Sequence, residues 1–186
     1  RQLLNKKGLI EHIESLCSEW QLGPAQSLAV SHSYLLAVSV CSLTKNAILW
    51  NLAGESRACL LRQGNEDRNE SISVAIDDSF GNIVVCCGGS LQCFDVNGKE
   101  ICKVETEGDI SACCVAPSPE VEDGSVIIGA GLVDGSIKMW GNYKGRLDVL
   151  EMLGTLSQEH QCMITAMHIC DDYKRILTGD VEGNVF

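Results

Sequence analysis

Eleven cysteines, four histidines and 25 carboxylates are the side chains of this 186-residue sequence that could do chemistry. The cysteine number is odd, and the doublets Cys86-Cys87 and Cys113-Cys114 lie inside apolar runs, where strand neighbours point to opposite faces and cannot share an ion. Structural zinc asks for paired C-x₂-C spacing, which does not occur. The nearest approach is His160, Cys162, His168 and Cys170, an H-x-C pair repeated within eleven residues, but its second half sits in "MITAMHIC", which reads as a buried strand. No metal is therefore expected, and the thiols read as small core residues of a reducing compartment. His12 falls on the polar side of a predicted helix, His32 in a turn, and His160 reads as a structural histidine. There is no G-x-S-x-G elbow, H-E-x-x-H pair, Gly-Lys-Ser phosphate loop or helix-opening G-x-G-x-x-G. The expectation is a non-enzyme without a cofactor.

The net charge of −11 opposes capture of phosphate backbones, because nucleic-acid affinity rests on Lys and Arg releasing counterions. It also opposes contact with anionic membrane surfaces. No apolar run approaches the ~20 residues of a spanning helix, so neither nucleic acid nor direct membrane insertion is expected. With 45% hydrophobic and 21% charged residues the composition is that of a folded protein, and its thiols, read as reduced, make the cytoplasm the expected location.

What positions these side chains is a repeat. The stretch "GAGLVDGSIKMW" (129–140) has a small-residue run, an Asp134-Gly135 turn and an alternating segment ending at Trp140. It has three relatives, "TKNAILWNL" with Trp50, "GGSLQCFDV" with Phe94, and "VEGNVF" at the carboxyl end. The anchors step by 44 residues from Trp50 to Phe94 and by 46 from Phe94 to Trp140. Matching Gly135 to Gly183 puts the next anchor at position 188, so the chain, which also starts at Arg1, reads as a fragment.

Two short apolar segments precede each anchor, for example "ISVAI" and "NIVVCC", and a shorter one such as "ACLLR" or "KEICKVE" follows it. Four strands in every ~45 residues is the signature of a propeller blade. Runs such as "IVVCC" suit strands covered on both faces by neighbouring blades. Asp134-Gly135, Gly88-Gly89, Lys45-Asn46 and Glu182-Gly183 occupy the hairpin turns that need positive φ. Asp77-Asp78 and Asp171-Asp172 fall in turns between first and second strands, where Asp bonds its own backbone, so turn chemistry accounts for them better than calcium.

"DGSIKMW" and "KNAILWNL" resemble the third strand of WD repeats, and "ITAMHICDDYKRILTGDVEGNVF" resembles the last repeat of the carboxyl-terminal propeller of BEACH-domain proteins. The bare "CGGSLQCFDVNGKEI" resembles the penultimate blades of that group. The fold expected is all-β, about three and a half blades of a ring that the resemblance makes seven-bladed. The blades run over about 27–64, 71–108, 109–159 and, truncated, 160–186. Residues 1–26 form a linker in which Leu9, Ile13, Leu16 and Trp20 lie on one stripe of a short helix. In such blades the anchor indole is commonly tied through a hydroxyl to a His-Asp pair. Only the third repeat has both the Asp-Gly turn and Trp, and only the fourth has a preceding histidine, His160.

The acidic stretches now have a place. "NEDRNE", "VETEGD" and "SQEH" join the last strand of one blade to the first of the next and emerge on one face. Glu66, Asp67, Glu70, Glu105, Glu107, Asp109 and Glu159 would crowd that rim as a patch for a basic protein segment. The resemblance implies a protein-interaction scaffold of vesicle trafficking, lysosomal or autophagy pathways. It would lie peripheral to endosomal or lysosomal membranes through other domains, with the rest of its own propeller and an upstream BEACH domain as partners. Two other readings stay open at this point, a WD-repeat adaptor of a ubiquitin-ligase or cytoskeletal complex and an enzyme propeller. The inner strands "SLAVS", "ISVAI", "ISACCVA" and "ITAMHI" are too apolar to favour the last.

Overall fold

The computed structural model describes residues 24–52, 57–62, 71–118, 125–143, 146–156, 160–170 and 175–186. The helix expected in the first 26 residues lies outside them. Among the described residues, fourteen strands form four antiparallel sheets in chain order. The first sheet holds β1 (Ala25–Ser31), β2 (Leu36–Cys41), β3 (Ala47–Asn51) and β4 (Arg57–Arg62), and the second β5 (Ile72–Ile76), β6 (Ile83–Cys87), β7 (Ser90–Phe94) and β8 (Glu100–Glu105). The third holds β9 (Ile110–Pro117), β10 (Val126–Leu132), β11 (Ile137–Tyr143) and β12 (Arg146–Leu156), and the fourth has β13 (Ile164–Ile169) and β14 (Ile176–Asp180). Each strand pairs with the next in sequence, so every sheet is a meander, a partial propeller of three blades and the inner half of a fourth.

The sheets stack face to face. Leu36, Val38, Val40 and Leu49 of the first sheet pack on Ile72, Ile83, Val85 and Phe94 of the second. The other face of the second, with Val84, Cys86, Leu91 and Cys93, meets Ile128, Ala130 and Trp140 of the third. At roughly 1.5–3 kcal/mol for each fully buried Val, Leu, Ile or Phe, these two interfaces dominate the stability. β6 is buried along its whole length, as a strand covered on both faces must be.

The anchors follow the same geometry. Phe94 and Trp140 each point at the preceding blade and are buried. Trp50 also turns toward the side of a preceding blade, which is uncovered among the described residues, and it stays partly exposed. The uncovered side of β1 likewise leaves Leu28 64% and Val30 50% exposed.

Two details depart from the sequence reading. β12 is the longest strand, eleven residues, where a short one was expected. Its pairing with β11 shifts register at two places, so it spans more residues than its partner. His168, read as buried, is exposed because it stands on the face of β13 that no further sheet covers among the described residues.

Candidate functional site

The densest polar constellation lies at the start of the fourth sheet. His160, just before β13, places Nδ1 2.8 Å from Asp180 Oδ2 and Nε2 2.7 Å from Thr178 Oγ1, both partners on β14. The carboxylate can only accept, so Nδ1–H donates to it, and a neutral ring accepts the Thr178 hydroxyl proton at Nε2. Asp180 also accepts the amides of Glu182 and Asn184, at 3.0 and 2.9 Å, and the Asn184 side chain at 3.0 Å. Its bond from His160, ahead of those from Asn184 and the Cys162 thiol, holds its carboxyl well below the usual range. Phe186 meets the imidazole edge-on at 4.6 Å between ring centres.

Hydroxyl, imidazole and carboxylate in this order have the geometry of a nucleophile relay. Here, though, His160 is 3%, Thr178 4% and Asp180 6% exposed, which leaves no approach for a substrate. The relay acts instead as a clamp. It ties the segment entering the fourth blade to β14 and to the 181–184 turn.

That clamp belongs to one blade. The position of Thr178 on its strand corresponds to Ser39, Val85 and Ala130 by register, and that of Asp180 to Cys87 and Leu132 in the second and third sheets. In the first sheet the hydroxyl persists, and Trp50 Nε1 donates to Ser39 Oγ at 2.8 Å. The second and third sheets fill these places with buried apolar side chains and make packing of what the fourth makes by hydrogen bonds.

The small-residue run at 129–131 answers to the next blade. A Cβ on Gly131 would fall 2.6 Å from Ile164 Cγ2, so β10 and β13 can approach only with glycine there. Gly135, at φ +86°, combines a left-handed turn with a close approach, because a Cβ would stand 2.5 Å from the carbonyl oxygen of His160. Asp134 caps this turn by accepting the Ser136 amide at 2.9 Å and its hydroxyl at 2.6 Å. Gly183 has the same backbone at φ +87° with open space around it. Lys45 supplies the left-handed residue of the first blade.

Side chains also bridge blade to blade. Ser27 Oγ accepts the Val74 amide at 3.2 Å, Ser73 Oγ accepts the Cys113 amide at 3.1 Å, and Ser111 Oγ lies 2.6 Å from Ile164 O. Asp78 reaches back from the second blade to the first, 2.5 Å from Ser31 Oγ and 3.0 Å from both the amide and the hydroxyl of Ser33. These bonds, that of Ser31 first, bring its pKa down to about 2. Asp77 instead caps its own turn, accepting the amides of Ser79 and Phe80, and burial outweighs those bonds and raises its pKa.

Of the predicted acidic rim, Glu105, Glu107 and Asp109 are exposed together between β8 and β9. Glu105 is 2.6 Å from Lys103, and Lys138 Nζ donates to the backbone oxygen of Glu107. Glu66, Asp67, Glu70 and Glu159 lie outside the described residues, as does Asp171-Asp172. The four residues of the H-x-C pairs do not converge. His160 and Cys162 sit at Asp180, whereas His168 is level with Leu177 at the far end of β13, and no metal-holding cluster occurs among the described residues. Nor is any helix among them long and apolar enough to cross a membrane.

No family model matches the chain. It is 28% and 32% identical to WD repeat- and FYVE domain-containing protein 4 of Mus musculus and of Homo sapiens, over 86% of its own length and 6% of theirs. Among solved structures it is similar to a chain of the mitotic checkpoint complex, with a TM-score of 0.64 and 16% identity over 90% of this chain and 46% of that one. The β-propeller domain of Cps50 (Swd1) from Myceliophteria thermophila has a TM-score of 0.60 and 16% identity over 88% and 51%. A chain of hydrazine synthase from Kuenenia stuttgartiensis has a TM-score of 0.60 and 12% identity over 86% and 43%. Likeness at such identities speaks to fold alone. With its meander blades stacked in sequence and these matches, the chain is a partial β-propeller, similar in sequence to part of WD repeat- and FYVE domain-containing protein 4.

Proposed function

We propose that these blades are half of a closed propeller serving as a non-catalytic protein-interaction scaffold in a BEACH-domain protein. The observation carrying this reading is the pair of apolar end faces uncovered among the described residues, Leu28 and Val30 on β1 and Leu177 and Val185 at the fourth sheet. Such faces ask for further blades. Fourteen strands at four per blade make three and a half blades, and the chain matches 51% of the Cps50 propeller chain, which supports a ring of about seven. In this reading the chain ahead of β1 is a linker, and a first blade that opens with β1 and blades of about 71–108 and 109–159 lead into one that opens at 160.

The rim of Glu105, Glu107 and Asp109, joined by Glu66, Asp67, Glu70 and Glu159, captures a basic segment of a protein partner, with charge setting on-rate and selectivity. The scaffold works in the cytoplasm in vesicle trafficking, lysosomal or autophagy pathways, and reaches endosomal or lysosomal membranes through its other domains. The test is binding of a Lys-rich peptide to the full-length protein and to a Glu105→Lys, Glu107→Lys, Asp109→Lys variant. Affinity that falls with added salt and is lost in the variant supports the acidic rim. Equal binding by both proteins rejects it.

A further inference from the structure

Four thiols line the interface between the second and third blades, Cys113 on β9, Cys86 on β6, Cys93 on β7 and Cys102 on β8. All are free. Two of them, Cys93 and Cys102, are directly opposed in the antiparallel pairing of β7 with β8. Opposed residues in such a pair have Cα atoms roughly 4.5–5.5 Å apart, inside the ~4.4–6.8 Å window of disulfides. A register shift immediately follows this pair, between Cys93 and Phe94, and lends the hairpin room to adjust. The two sulfurs also differ in access, since Cys93 is fully buried while Cys102 is half-buried on the outermost strand.

We propose that Cys93 and Cys102 form a reversible disulfide when the protein meets a hydroperoxide, which makes the outer hairpin of the second blade an oxidation-responsive site. Cys102 is the attacking sulfur. As the thiolate it takes the outer oxygen of the hydroperoxide, becomes a sulfenic acid and releases the alkoxide, or hydroxide from hydrogen peroxide, which is then protonated. Cys93 then attacks the Cys102 sulfur, loses its proton and expels the hydroxyl as water. Two thiols and one hydroperoxide give one disulfide, one alcohol or water, and one water; the two electrons lost by the sulfurs reduce the O–O bond.

The division of roles follows from the surroundings. The Cys93 thiol donates to the Cys102 sulfur and holds it below the ordinary thiol range, while that donor role and burial push Cys93 upward. Thiolate character and exposure together decide which cysteine reacts first. Cys59 is the internal control, because it is exposed but stands opposite Leu49, with no thiol paired to it among the described residues. The bond would fasten β8, which leads into the acidic loop at 105–109, to the buried β7.

The test uses the full-length protein exposed to a small excess of hydrogen peroxide, followed by alkylation, digestion and mass mapping. The expected result is a Cys93–Cys102 linked peptide pair that dithiothreitol abolishes, with Cys59 oxidised but unlinked. Cys102→Ala leaves Cys93 reduced and fully alkylated, and Cys93→Ala leaves Cys102 as a sulfenic acid that dimedone captures. Recovery of both thiols in the reduced form while Cys59 is oxidised overturns the proposal. So does oxidation of Cys102 in the parent protein to sulfinic acid without any linked peptide. Should Cys93→Ala not fold, the parent protein and Cys102→Ala decide alone.

Discussion

Replacing Gly135 and Gly183 by alanine in separate proteins isolates the contact between the third and fourth blades. Both glycines have φ near +86°, and an L side chain there costs roughly 1–2 kcal/mol of backbone strain. They differ in what the added methyl meets. At 183 it has nothing within 4 Å, whereas at 135 it falls 2.5 Å from His160 O, 2.8 Å from the carbonyl carbon and 3.0 Å from Cys162 O. All three are backbone atoms, so no rotamer relieves the clash and the 160–162 segment must move, at a further ~1–3 kcal/mol typical of overpacking. Gly135→Ala is therefore expected to destabilise by about 2–5 kcal/mol and to exceed Gly183→Ala by about 1–3 kcal/mol. Native-state hydrogen exchange reads this best, because stacked blades open locally and a single unfolding midpoint averages over them. Amides of β13 and β14 should exchange faster in Gly135→Ala than in Gly183→Ala, with β5 to β8 unchanged in both. Equal exchange in the two variants would refute the claim that Gly135 sets the approach of the fourth blade.

Other perturbations probe the remaining interfaces. Trp140→Ala removes a fully buried indole and should lower stability by about 3–5 kcal/mol in urea unfolding, whereas Trp50→Phe, which forfeits the bond to Ser39, should lower it by about 0.5–1.5 kcal/mol. Ser73→Ala strips the Cys113 amide of its partner at the junction of blades two and three, at about 1–3 kcal/mol, visible as faster exchange of that amide. Asp78 supplies a pH signature. Its folded pKa, about 2, lies below the ordinary carboxyl value of 3.8, so its contribution is present above pH 3.8 and is lost as pH falls through 2. The Ser33 amide should lose protection across that window, and Asp78→Asn should flatten the profile.

The blade pattern was legible because both its signals are local. Turn residues with positive φ recur at the hairpins, at Lys45, Gly88, Gly135 and Gly183, and apolar runs such as "IVVCC" mark strands covered on both faces. The clamp was half legible. His160 stood out, but its partners Thr178 and Asp180 declare themselves only once register aligns them with Ala130 and Leu132. The inter-blade hydroxyls were missed, since Ser27, Ser73 and Ser111 sit inside runs that read as apolar. For Ser73 and Ser111 the signal was there in "IS", a hydroxyl at the second place of β5 and β9, whereas Ser27 is the third residue of β1. His168 was misjudged because burial of a strand face depends on the next sheet, which lies elsewhere in the chain.

The most direct test of the propeller account is an experimental density map of the full-length protein at side-chain resolution around these blades. The account predicts a closed ring in which Leu28 and Val30 on one end face, and Leu177 and Val185 on the other, are each covered by a neighbouring blade. An open arc with those side chains in solvent, or capped by a segment that is not a blade, would contradict it.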